Sequence, residues 1–523
     1  MLRYAPGGRR GPATRSSTGL RAAVPVRGWF VVAAFLLAGL ALRAESLAGR
    51  VLWYDEVYSL WVSEQPAAAI LQASALSDPH PPGYYLLLKA WRRIVGPTPP
   101  AARLLSLVAW LGSVAVVAYL AAKIFGWPAG AGAACLLSVH AFQVIASTEA
   151  RMYALLQLAA AVATALLWRA REQDRLGLWA AYGASAAAMA YLSYYSALLL
   201  LAHGLWVLAT QPGRSWAGPA VAVASAVAAY GPWLPFLPGS VTANTVPWRP
   251  PPDAGLVAGL LASQVYGGHW LGAAGYYGSG VLQAWQWLAG LAPVTLLVPG
   301  FLALRQRNAQ AGFLFTLCWL VPVGAAVAAS FLVGKVAAYA YHLTYVQPVA
   351  AVAVAAGVAE VWSPRDRSPR CVTQVLAAVG VLVYAASAAD GAWRDLRYQP
   401  FRYDLAADYL RSLHRKQDMV LYVPQGMRRV MRYYFEPTGR EVQLALPLAA
   451  WGPKAHQARQ RFRDAVAAAL RASSQRVWVV ASPPYPPWVP EIIEQAAVES
   501  GYLPGPVARF GHVTVGLLVR RGR

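Results

Sequence analysis

The sequence predicts a polytopic α-helical membrane protein with a small α/β domain at its C-terminal end. Three observations predict it. The mean hydropathy of the 523 residues is +0.40, and only 13% of them are charged, against about 25% in a soluble domain. Apolar runs of about 20 residues, the length that crosses a bilayer core, recur through the first three quarters of the chain. From about residue 391 the apolar runs shorten to strand length and alternate with amphipathic stretches.

Residues 1–28 hold six arginines and no acid, which places the N-terminus in the cytoplasm. Arginines before an apolar run resemble a signal peptide, but many spans follow, so this run is read as an uncleaved first helix. About eleven spans are expected, near 29–48, 104–122, 128–146, 153–169, 178–193, 195–210, 217–237, 285–304, 311–333, 342–361 and 371–389, together a transmembrane domain of residues 29–390. Alternation puts Lys123, Arg169, Arg171, Arg175, Arg214, Arg305, Arg307, Arg365, Arg367 and Arg370 in inside loops. It leaves the segment around residue 55 and residues 391–523 outside, on the extracytoplasmic face of the plasma membrane.

The net charge of +23 comes from arginines scattered among short loops and the tail. It is read as orientation and contact with anionic lipid, not as nucleic-acid binding. Cys135, Cys318 and Cys371 have no ligand-like spacing, so neither a disulfide framework nor a zinc site is expected. In the tail, 418–423, 476–480 and 512–519 read as strands, and 454–472 and 490–500 as helices. Its 20 Lys+Arg against 10 Asp+Glu describe a solvated basic surface, or a face toward anionic lipid.

The stretch "VLWYDEVYSLW" (51–61) sets Asp55 and Glu56 among aromatic residues beside an apolar run. On a helix, neighbours point about 100° apart, so both acids cannot face one substrate atom. One is expected to point into a site and the other to brace the segment; two solvated interfacial acids are the plainer alternative. "SDPHPPGYYLLL" (77–88) adds His80 between prolines that start a helix. That histidine is either a proton carrier or ligand, or a turn residue bonded to backbone. In "STEARMY" (147–153), Glu149 in a first helical turn suits the macrodipole. Arg151 does not, and it calls for an anion. Lys89, Arg92, Arg93 and Arg103 break the inside-positive rule. They snorkel to lipid headgroups, or they bind a phosphate at the outer face.

Neither a D-x-D pair nor a phosphate loop occurs. "GGHWLGAAGYYGSG" (267–280) reads as an outer loop, with His269 and Trp270 as possible contacts.

In this order, "WYDEVYSLW", "DPHPPGYYLLL" and "EARMYALLQL" resemble the bacterial relatives of the protein O-mannosyltransferases and of the lipid A aminoarabinose transferase. These are multi-spanning GT-C glycosyltransferases. "YDLAADYLRS" followed by "DMVLYVP" is similar to the extracytoplasmic domain of many members. The resemblance implies a polyprenyl-phosphate sugar donor and a lipid, protein or polysaccharide acceptor. It makes Asp55 the general base and Glu56 its supporting neighbour. Glu149 and Arg151 would hold the reacting centre and the donor phosphate, with Arg92, Arg93 and Arg103 as further cations, and His80 falls in the matching His-Pro-Pro stretch. Many relatives carry Arg-Tyr near the start of a late span. Here "KVAAYAYHLTYVQP" (335–348) has Tyr341 and His342; either Lys335 or His342 replaces the missing cation, or the donor's head group is held differently. Direct displacement would invert the anomeric centre, with no cofactor and no metal required if arginines neutralise the leaving phosphate. A transporter of lipid-linked glycans, which predicts paired charges buried mid-span, and a polymerase or ligase of such glycans are the alternatives.

Overall fold

The computed structural model describes residues 26–239, 249, 251–265, 284–361, 380, 382, 399, 401–446, 455–472 and 475–521. The expected span 371–389 apart from residues 380 and 382, the 390/391 boundary, His269, Trp270 and Cys371 lie outside them.

Among the described residues, the membrane part is built of helices and has no strand. Helix α1 (Val26–Gly49) leads into three helices too short to span, α2 (Tyr54–Glu64), α3 (Ala67–Leu76) and α4 (Gly83–Val95). There follow α5 (Pro99–Phe125), α6 (Trp127–Val139), α7 (Ala141–Thr148), α8 (Tyr153–Gln173), α9 (Leu176–Leu192), α10 (Ser196–Thr210) and α11 (Ala217–Tyr230). After these come α12 (Ala254–Val265), α13 (Ala284–Arg307), α14 (Ala309–Val333), a 3-10 turn (Ala340–Val346) and α15 (Gln347–Val361).

By length and apolar composition, six helical segments among the described residues can cross a membrane, or seven if α6 and α7 count as one. The chain therefore has at least six such helices where about eleven spans were expected. The span expected at 128–146 is broken, because α6 and α7 meet at His140 with a bend of 65°. The runs expected at 178–193 and 195–210 form helices of 17 and 15 residues.

Helix α2 owes its start to its two acids, which sit in the first turn, where the macrodipole favours them. Its other end is capped by cations from α4. Lys89 donates to the carbonyls of Ser63, Glu64 and Gln65, and Arg92 donates to Leu60 O at 2.9 Å and Ser63 Oγ at 2.7 Å. Orphan carbonyls at a helix C-terminus attract such groups. Helix α4 itself starts at Gly83 against the end of α9. A Cβ there would stand 2.5 Å from Tyr191 O, so only glycine allows the backbones this close.

The C-terminal part comprises α16 (Tyr403–Leu413), β1 (Met419–Val423), α17 (Met427–Tyr434), β2 (Glu441–Gln443), α18 (Ala455–Arg471), β3 (Arg476–Ala481), α19 (Val489–Glu499), β4 (Tyr502–Phe510) and β5 (Val513–Arg520). The strands form one sheet in the order β2-β1-β3-β5-β4. β1 pairs parallel with β2 and β3, while β5 pairs antiparallel with β3 and β4. Strand alternation splits the inner residues. Met419, Leu421, Val477 and Val479 pack under α18 and α19, and Val420, Tyr422, Trp478 and Val480 join α16 and α17 in a core continuous with the membrane helices. Strands β2 and β4, and helices α16 and α17, were not read from the sequence.

The two parts meet at α2. Leu52 N donates to Tyr434 Oη at 2.8 Å, and that hydroxyl lies 3.3 Å from Leu52 O. The Arg429 guanidinium stacks 3.6 Å from the Trp61 ring centre and 5.3 Å from that of Tyr58.

Candidate functional site

The two acids of α2 separate, as their helical offset requires. Glu56 has no exposed surface, and Arg103 is 1% exposed. Arg103 Nε and Nη2 donate to Glu56 Oε1 and Oε2, each at 2.9 Å, and Ala150 N donates to Oε1 at 2.9 Å. Planar bidentate pairing of this kind fixes geometry as well as charge. Arg103 Nη1 also donates to the carbonyls of Leu47 and Arg50 at 3.2 and 3.0 Å, which closes the end of α1. Glu56 thus ties α1, α2, α5 and the α7–α8 corner together.

Asp55 points elsewhere. Its side chain is 29% exposed, and Oδ2 lies 3.6 Å from Arg151 Nη2. Arg151 is 1% exposed. Its Nη1 donates to Ser59 Oγ at 3.1 Å, and its Nη2 lies 3.2 Å from His80 Nε2. Burial opposes the charge on this guanidinium, and Asp55 together with Tyr153, Tyr85 and Tyr84 outweighs it, so the pKa is raised. Arg151 Nε has no hydrogen-bond partner among the described residues.

These groups line a cavity of about 240 Å³, with Asp55, His80, Arg151, Ser193, Tyr195, Arg249, Tyr341 and His342 in its wall. Arg249 is a second guanidinium in this wall. Its Nη1 donates to Ala337 O at 2.6 Å, and it lies 5.6 Å from the Tyr339 ring centre. Its Nε also lacks a partner among the described residues. His342 stacks on Tyr195 with ring centres 4.2 Å apart, and its Nδ1 accepts from Tyr339 N at 3.0 Å. The arrangement is a carboxylate and two guanidiniums around a small polar chamber with aromatic walls. It can hold an anion and a sugar, and it can receive a proton.

Of the residues expected at a site, Asp55, His80, Arg151 and His342 come together here. Others do not. Arg103 is spent on Glu56 and the end of α1. Arg92 holds the end of α2 and pairs with Glu64 at 3.0 Å. Arg93 lines a separate open hollow with Glu64, Pro66 and Lys89. Lys335 is exposed and outside the cavity wall. Glu149 does not open a helix: it closes α7, and α8 begins only at Tyr153. It pairs with Arg50 at 3.1 Å. The cations that break the inside-positive rule are accounted for in part by helix ends. Lys89 and Arg103 donate to carbonyls at the ends of α2 and α1, and Arg92 donates to Leu60 O in the last turns of α2 and to Pro97 O after α4.

Sequence reading missed Arg249, Tyr195 and Asp78. Arg249 is the lone cation in "PWRPPP", and Asp78 stands two residues before His80 in a stretch quoted for its histidine. A lone charge among prolines is the signal that could have found the first.

Residues 79–237 match a family model described as dolichyl-phosphate-mannose-protein mannosyltransferase. No curated protein matches the chain by sequence. Among solved structures, the fold is similar to ArnT from Cupriavidus metallidurans in the apo state, at TM-score 0.59 and 14% identity over 94% of this chain and 98% of that one. The same protein bound to undecaprenyl phosphate matches at TM-score 0.56 and 16% identity, with the same coverage. The apo Archaeoglobus fulgidus oligosaccharyltransferase matches at TM-score 0.51 and 14% identity, over 86% of this chain and 69% of that one. Over nearly its whole length the chain thus shares the fold of ArnT, and residues 79–237 match the mannosyltransferase family model.

Proposed function

We propose that this protein is a membrane glycosyltransferase that moves a hexosyl or pentosyl group from a polyprenyl-phosphate donor to an acceptor hydroxyl. The reaction takes place at the extracytoplasmic face of the plasma membrane. The observation that carries the proposal is one cavity holding Asp55, Arg151 and Arg249 together. The likeness in fold to a protein solved with undecaprenyl phosphate supports a lipid-linked donor.

Among the described residues, Arg151 and Arg249 each keep an N–H without a partner, so a phosphate beside them gains charge-assisted bonds with little rearrangement. The cavity is small for a whole lipid. It fits the head group and leaves the isoprenoid chain against apolar helix faces, where each buried methylene contributes about 0.8 kcal/mol. The tyrosines and His342 offer flat faces to the sugar ring.

The acceptor oxygen attacks the anomeric carbon as the bond from that carbon to the phosphate oxygen breaks. The acceptor proton passes to the Asp55 carboxylate, and polyprenyl phosphate leaves with its new charge facing the two arginines. An incoming phosphate shares Arg151, which loosens its hold on Asp55 when the base is needed. Attack from the face opposite the leaving group inverts the anomeric centre. The C-terminal domain, seated on α2, borders the acceptor's approach; that acceptor is a lipid, a protein or a polysaccharide.

The test is donor breakdown. Purified protein given polyprenyl-phosphate hexoses and pentoses, with an extract of envelope acceptors, should release polyprenyl phosphate and a glycosylated product. Binding of every donor with no release of phosphate would favour a carrier of lipid-linked glycans and overturn the proposal.

A further inference from the structure

The loop between α3 and α4 carries a group that the transfer reaction as drawn does not use. Asp78 is 1% exposed, and it accepts three hydrogen bonds. Tyr58 Oη donates to Oδ2 at 2.7 Å, and both the backbone N and the ring Nδ1 of His80 meet Oδ1 at 2.9 Å. The other ring nitrogen, Nε2, lies 3.2 Å from Arg151 Nη2. A guanidinium has donors and no acceptor. His80 Nε2 must therefore present its lone pair, and the ring proton must sit on Nδ1, where Asp78 receives it. One neutral tautomer satisfies both contacts. The other would set an N–H against an N–H.

We propose that Asp78 is a positioning residue for the transfer site: by holding His80 as the Nδ1–H tautomer, it turns the Nε2 lone pair onto Arg151 and aims that guanidinium into the donor-phosphate cavity. The inference rests on the reading of Arg151 as a phosphate ligand.

The surroundings suit the role. Burial opposes ionisation of Asp78, and the bonds from His80 and Tyr58 outweigh it, bringing the carboxyl below its ordinary value. Burial pushes the Tyr58 phenol up, and Asp78 adds to the effect, so the phenol stays a donor. Arg429 of the C-terminal domain stacks over Tyr58, so the chain Arg429–Tyr58–Asp78–His80–Arg151 runs from that domain to the cavity. A partner at the far nitrogen fixes which tautomer a histidine shows to its target, as it does where histidines bind metals.

The experiment is binding of undecaprenyl phosphate to the full-length protein in detergent micelles, with melting temperature recorded for each variant. Arg151→Ala tests the underlying reading, and binding should weaken by about tenfold or more. His80→Gln can place an amide oxygen where Nε2 stood. His80→Asn keeps a group near Nδ1 but reaches no farther. The asparagine variant and Asp78→Ala should each weaken binding on the order of tenfold, and the glutamine variant by no more than about threefold. If Arg151→Ala loses binding while His80→Asn and Asp78→Ala match wild type, the inference fails and the phosphate reading stands. If Arg151→Ala binds like wild type, the phosphate reading fails first. Equal losses in His80→Gln and His80→Asn would sink the lone-pair argument, and that comparison decides the matter even if Asp78→Ala does not fold.

Discussion

Asp55 and Glu56 are neighbours in the chain and face opposite environments. Glu56 is wholly buried, with both oxygens on Arg103 at 2.9 Å, and Asp55 stands at the cavity wall 3.6 Å from Arg151. One turn of helix thus carries a structural acid and the acid proposed as the base, and the two should fail in different ways when removed.

Arg103→Ala leaves a carboxylate buried without its counter-ion. Breaking such a pair costs about 3–5 kcal/mol. The variant should therefore lose melting temperature and yield, with activity lost in proportion to folded protein. Asp55→Asn should melt close to wild type. Thermal melting of the two in the same detergent distinguishes them, and equal melting losses would contradict the assignment.

Tyr434→Phe removes the hydroxyl that engages Leu52 N and O. An unsatisfied backbone N–H costs about 1–3 kcal/mol if it stays buried. Arg429→Ala removes the guanidinium from Trp61, a contact worth about 1 kcal/mol. Each variant should speed hydrogen exchange over residues 52–64 while leaving the β1 and β3 amides protected. Unchanged exchange across 52–64 would mean that the C-terminal domain does not hold α2.

Glu441 gathers Tyr422, Arg428 and Arg432. Burial opposes its ionisation, and the bonds from the arginines and the tyrosine outweigh it, so the carboxyl lies below its ordinary value of 4.5. A depressed native pKa adds stability above the unfolded value, and that stability drains away as pH falls through the native one. Glu441→Gln should therefore destabilise the full-length protein near neutral pH by roughly 1 kcal/mol or less, because the arginines are partly exposed. The gap to wild type should close as melts are taken below pH ~4. A gap that persists in acid would rule out the ionic contribution.

Helical membrane segments were legible in the sequence because a bilayer demands about 20 apolar residues in a row. The break at His140 was not, since one histidine in the apolar run 128–146, with neither proline nor glycine beside it, does not announce a bend. The three tail strands read from the sequence fall at β1, β3 and β5, the apolar centre of the sheet. The short edge strand β2, with burial on neither face complete, and the proline-bearing β4 carried no such pattern. At the site, the offset of Asp55 from Glu56 followed from helical geometry alone. Which arginines faced the cavity did not. Arg92 and Arg103 look like free outer cations in a linear reading, and only tertiary contact shows them bound to carbonyls and to Glu64 and Glu56. Arg249 reaches the cavity across a distance in sequence that no local pattern spans.

If Asp55 takes the acceptor's proton, its loss must show in sugar transfer and not in lipid binding. Transfer of a labelled sugar from polyprenyl phosphate should be compared for purified wild type and Asp55→Asn, with undecaprenyl phosphate binding measured on the same samples. The asparagine variant should lose turnover by a factor of about 10² or more and still bind the lipid phosphate. Turnover equal to wild type would remove Asp55 as the base.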